Sequence, residues 1–168
     1  MVRLSSLCFL GTLLATVSLC GAQTPIEIAW PGTARLTETV KGVRVDVTFN
    51  TVTIDRSNPL FPYPMDGWHP DFIGVVRAIE ISVDGQPIYL PPSVFGTLQA
   101  PNRASLRSEK GDFVLEITGG DAGLTTVTRI YFDKKGLKRL VECDAFDEGR
   151  PLWEMRFKSY PPPKNQFE

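Results

Sequence analysis

His69 is the only histidine in a chain of 168 residues, and Asp66 and Asp71 flank it. An imidazole beside a carboxylate has the chemistry of a general base or of a metal ligand. Nucleophilic catalysis also needs a serine or thiol within hydrogen-bond reach of that imidazole. The chain has no Gly-X-Ser-X-Gly elbow. A transition-metal site ordinarily takes more than one His or Cys, and beyond residue 22 there is one of each. One reading is therefore a small hydrolase or metal-dependent enzyme using His69 with Asp66 or Asp71. The competing reading is a loop histidine packed beside Trp68 and Pro70, or turned to water.

His69 lies in residues 57–71, which also hold Phe61, Tyr63, Trp68 and four prolines. Proline removes backbone donors and fixes φ, so this stretch is neither helix nor central strand. It reads as a long extended loop. Aromatic rings on a stiff backbone suit recognition of a sugar, a peptide or a protein. The same rings would also serve as a cap folded over an open end of a core. Phe61, Tyr63, Trp68 and His69 are the binding residues this composition singles out.

Other polar clusters have simpler explanations. Asp121, Asp133, Asp144, Asp147 and Glu148 lie in or beside turns. Hard cations take several carboxylates, but no twelve-residue calcium loop with its closing glutamate is present. Aspartate suits turn geometry in its own right, and no metal is assigned. Residues 119–123 are rich in glycine, yet they separate two strand-like runs. A phosphate cradle would need a following helix, so these glycines read as a hairpin loop. No cofactor is expected.

The first 22 residues stand apart. Arg3 is the only charge before Glu27, an apolar run occupies residues 7–19, and Cys20-Gly21-Ala22 follows. That order reads as a secretory signal peptide cut after Ala22, the apolar run being too short for a comfortable membrane span. The remaining 146 residues suit one domain over residues 23–160 and a Pro-rich polar tail over 161–168. Cys8 and Cys20 leave with the leader, so Cys143 stands alone and no disulfide staples the fold. Cys143 shares a strand face with Val141 and reads as a small buried group. Removing Arg3 takes the formal charge from −1 to −2, which gives nucleic acid no basic surface. No Asn-X-Ser/Thr site occurs. With the missing disulfides, this favours a bacterial periplasmic or secreted protein.

Strand periodicity dominates what is left. Residues 43–49 alternate most cleanly, with Val43, Val45, Val47 and Phe49 on one face. After Phe49 the apolar phase moves to Val52 and Ile54, which predicts a bulge near Asn50-Thr51. Residues 72–83 place Val75, Ile79, Ile81 and Val83 on one face, which Arg77 interrupts. Asp84-Gly85 is a hairpin signal leading to residues 86–90. Residues 91–98 have room for one helical turn. Residues 104–108, 112–118, 124–132, 137–144 and 151–157 then follow as a meander. Val43, Val45, Val47, Ile79, Ile81, Leu115, Ile117, Ile130, Phe132, Trp153, Met155 and Phe157 are the predicted inward residues. The expected fold is all-β: an antiparallel sandwich or partly open barrel with a C-terminal meander and at most one short helical turn.

The runs Ile81-Ser-Val-Asp-Gly-Gln-Pro-Ile88 and Leu90-Pro-Pro-Ser-Val-Phe95, and Gly119-Gly-Asp121 with Tyr131 and Phe132, carry a resemblance. Over residues 79–157 the chain resembles small secreted bacterial proteins of uncharacterised family. The resemblance implies a β-rich exported domain and transfers no catalytic residue. The functional expectation is an exported, non-enzymatic protein of the bacterial cell envelope that binds a protein, peptide or glycan, with no membrane span after leader removal. A structural or secretion-accessory role through the Pro-rich tail is a third reading.

Overall fold

The computed structural model describes residues 24–55, 57–59, 71–96, 98, 100–120 and 125–158. Among them ten strands form two antiparallel sheets. The first strands are β1 (Ile26–Glu27), β2 (Gly32–Val40), β3 (Val43–Asp55), β4 (Phe72–Val83) and β5 (Gln86–Ile88). A single 3-10 turn, Pro92–Val94, follows. Then come β6 (Pro101–Glu109), β7 (Asp112–Gly119), β8 (Thr126–Asp133), β9 (Gly136–Asp144) and β10 (Asp147–Arg156). The four-stranded sheet has the order β2-β3-β4-β5, and the six-stranded sheet has the order β1-β6-β7-β8-β9-β10. The expected sandwich with its C-terminal meander is the fold, and neither sheet closes into a barrel.

Three tight turns set the register. Lys41-Gly42, Asp84-Gly85 and Lys110-Gly111 each hold both central residues at positive φ. Mirror-image two-residue turns of this kind match the strand twist, and glycine takes the second position without steric cost. They join β2 to β3, β4 to β5 and β6 to β7.

The core lies between the sheets. Val45, Val47 and Phe49 of β3 and Ile79, Ile81 and Val83 of β4 contribute from the smaller sheet. Leu106, Leu115, Ile117, Ile130, Phe132 and Leu140 contribute from β6 to β9 of the larger. The rings of Phe113 and Phe132 meet with centroids 5.6 Å apart. One side of the sandwich is closed by the corner between β1 and β2. There the Ile28 amide donates to the Asn102 carbonyl at 2.9 Å. The Thr51 hydroxyl bonds the carbonyls of Ala29 and Gly32 at 2.8 and 3.1 Å. Trp30 lies flat against Gly74, where a Cβ would come within 2.4 Å of the indole.

Three expectations need correction. The register break does fall opposite Asn50 and Thr51, but the extra residue is Arg77 of β4. Strand β3 keeps its phase, so Thr51 takes the buried position while Val52 and Ile54 turn outward. On β4 the exposed Arg77 shifts the inward position to Val76, and Val75 faces away from the core. Met155 is 40% exposed and so is not a core residue, while Trp153 and Phe157 are only partly buried. The smaller sheet has too few strands to cover β10, which contains no buried residue.

The outer face of the six-stranded sheet is covered as well. Val114, Tyr131, Val141 and Cys143 form a second buried cluster there. Strand β8 is thus packed on both faces, and Cys143 is the small buried group its alternation implies. Arg139 stacks over Tyr131 at 3.8 Å. The Arg129 guanidinium lies 3.7 Å from the Cys143 sulfur, bonds Glu116 at 2.8 Å and pairs with Glu148. Arginine stems laid along apolar surface keep water off it while their heads stay paired.

Two substitutions test this packing by urea denaturation. Gly74→Ala forces its Cβ into Trp30 and should destabilise the protein by about 1–3 kcal/mol. Arg129→Met keeps much of the stem but strands two carboxylates, and should cost roughly 1–3 kcal/mol. Adding Glu116→Gln should recover part of the Arg129→Met loss.

Candidate functional site

Phe61, Tyr63, Asp66, Trp68 and His69 lie outside the described residues. Asp71 is described, and it is exposed just ahead of β4. Among the acidic turn residues, Asp133 Oδ1 accepts the amides of Lys135 and Gly136 at 2.6 and 3.2 Å. Asp144 accepts the Phe146 amide at 2.7 Å, and Glu148 pairs with Arg129. These carboxylates shape turns and ion pairs, and no three metal-ligating side chains converge among the described residues. At the glycine-rich turn, the Gly120 amide donates to the Ala100 carbonyl at 3.2 Å. No helix among the described residues is long and apolar enough to cross a membrane.

A groove of about 590 Å³ lies at the seam where the two sheets part. Ile79 and Ile81 of β4, Ile88 of β5 and Leu90 just beyond it line one side. Leu137 at the start of β9 and Phe157 beyond β10 line the other. Local sequence explains why the seam stays open. Strand β5 pairs only with Ile81–Val83 of the much longer β4, and Pro91-Pro92 then turns the chain away. The neighbouring wall is held by the tight β8–β9 turn and by the Phe157 amide, which donates to the Lys138 carbonyl at 2.8 Å. Tyr89, 41% exposed, stands at the rim.

The charges around the groove are uneven. Lys134, Lys135 and Lys158 stand on one side, with Asp46 and Glu80 on the other. Asp46 is held by Arg44 in a two-toothed contact and by the Thr37 hydroxyl. The Arg44 hydrogen bonds keep its carboxyl below the usual carboxylate range. Lys134 pairs with Asp84 at 2.6 Å, and this bond lowers the Asp84 pKa. Lys135 and Lys158 have no carboxylate partner among the described residues.

Sequence reading did not find this site. Its hints were Pro87, the run Tyr89-Leu90-Pro91-Pro92 and the pair Lys134-Lys135. The walls come from segments far apart in the chain, and no periodicity joins residues 79–91 to 134–137 and 157–158.

Away from the groove, Glu142 lies on the inner face of β9 opposite Thr128 and Trp153. Burial raises its pKa, and a hydrogen bond from Trp153 only partly opposes the shift. An acid raised in the folded state holds its proton more tightly there than in the unfolded chain. Stability therefore falls as pH rises from the ordinary glutamate value of 4.5 through the folded value. Glu142→Gln should remove that fall and leave the protein more stable than wild type at pH 7. Urea midpoints measured from pH 4 to pH 7 check this, and parallel curves for the two proteins would count against it. No family model, curated protein or solved structure matches this chain.

Proposed function

We propose that this is an exported, non-enzymatic binding protein of the bacterial cell envelope, and that it binds through the groove between its sheets. The observation that carries the reading is a concavity of about 590 Å³ with an apolar lining and a polar rim. Pockets for small molecules commonly have this size and composition. A glycan would ask for a denser array of hydrogen-bonding side chains than Ile81, Ile88, Leu90 and Leu137 provide. Export is supported by Arg3, the apolar run over residues 7–19 and the small residues at Gly21-Ala22. The unstapled core is in keeping with the bacterial assignment, since the single cysteine among the described residues is buried and free.

The test uses N-phenyl-1-naphthylamine, an uncharged dye that brightens in apolar surroundings. Titrated into the purified protein, it should give a saturable signal at one dye per chain. Tyr89→Asp and Phe157→Asp each place a charge at the groove and should weaken binding by roughly tenfold or more. Circular dichroism of both variants separates loss of binding from loss of fold. A wild-type protein that leaves the dye dark, or folded variants that bind it unchanged, would remove the groove as a binding site.

A further inference from the structure

Resting on the groove as the binding site, we propose that its occupant is a single-chain amphiphile with an anionic head, of the long-chain fatty carboxylate class. The alkyl chain would lie along Ile81, Ile88, Leu90 and Leu137, and the carboxylate would meet the ammonium groups of Lys135 and Lys158.

Charge complementarity fixes the polarity. Asp46 and Asp84 are already neutralised by Arg44 and Lys134. Two cations without a carboxylate among the described residues, Lys135 in the β8–β9 turn and Lys158 beyond β10, therefore line that side of the groove. Glu80 stands at the β4 side and repels an anion, so the head is directed to the lysines.

Backbone geometry disfavours an added peptide strand. Val83 and Gln86 flank the two-residue turn Asp84-Gly85 and form its hydrogen-bonded pair. Antiparallel pairs alternate, so the nitrogen of Pro87 points to the free edge of β5. It carries no hydrogen there, and Pro91 lacks a second donor along the same wall. An occupant held by side-chain contact alone has no need of that ladder.

The test is displacement of the bound dye by dodecanoate, dodecanol and dodecyltrimethylammonium, each below its micelle concentration. Wild type should release the dye at a roughly fivefold lower concentration of dodecanoate than of dodecanol, as two exposed lysines allow. The double variant Lys135→Glu with Lys158→Glu should reverse the order, favouring dodecyltrimethylammonium and leaving dodecanol unchanged. Equal displacement by all three, or a dodecanoate preference that survives the double variant, would overturn the head-group assignment but leave the groove as a site. A wild-type protein that binds no dye would overturn both readings. Displacement by an extended acidic peptide as effective as dodecanoate would place a strand in the groove instead. A dye-reversible doubling of mass in sedimentation would place a second copy there, and either result refutes the amphiphile.

Discussion

Two sheets of unequal width, joined by chain at the β1–β2 corner and again from β5 to β6, set the character of this molecule. The corner from Ile28 to Gly32 belongs to both sheets: its amide at Ile28 bonds Asn102, and its carbonyls at Ala29 and Gly32 accept from Thr51. Trp30 fills the space above Gly74 and closes that side. At the far edges of the strand order, β5 leads through the 3-10 turn Pro92–Val94 to β6 of the larger sheet, while β10 has no chain connection to the smaller sheet among the described residues. The ion pair of Lys134 with Asp84 links the β8–β9 turn to the β4–β5 turn, but it lies on exposed side chains. Pairs of that kind contribute little to stability, so the far side is held by the core and not by its own edge. A groove is the geometric remainder when four strands are laid over six.

The wider sheet also meets a demand that the narrower one does not. Its strands β7, β8 and β9 are apolar on both faces, and only one face has a sheet to pack against. Val114, Tyr131, Val141 and Cys143 are covered on the other face partly by arginine side chains of the same sheet. Arginine suits this use because its flat head can stack on Tyr131 or fork between Glu116 and Glu148 while its stem lies on apolar surface.

Much of the fold was legible because its signals are local. Alternation at Val43, Val45, Val47 and Phe49, and turn chemistry at Asp84-Gly85, depend on neighbours a few residues away. The bulge was half legible. A shift of apolar phase after Phe49 marked the right rung of the ladder, but pairing is a property of two strands, and the extra residue proved to be Arg77 on the partner. An arginine that seemed to interrupt an apolar face is the residue the strand expels. Met155 misled for a related reason: alternation reports which way a side chain points, and β10 points it toward a face with no opposing strand. The groove was not legible at all, since its lining depends on how far one sheet extends past the other. The residues singled out first, Phe61, Tyr63, Trp68 and His69, lie outside the described residues.

Open edges and exposed apolar residues would ordinarily make such a sandwich prone to recruiting strands. Phe146 in the turn before β10 is 80% exposed, and Leu152 of β10 is 58% exposed, on the rim of the larger sheet. Yet its pairing to β9 slips on both sides of Pro151, and Arg150, Glu154 and Arg156 place charges along it. Register slips, proline and charge are the devices by which natural edge strands resist pairing. At the other free edge, β5 is only three residues long and has Pro87 at its centre. Both edges beside the open seam are therefore poor templates for backbone hydrogen bonding, although both are lined with apolar side chains. A surface of that kind discriminates by shape, apolar contact and the charge at its rim. That physical property separates a groove suited to an amphiphile from one suited to a strand.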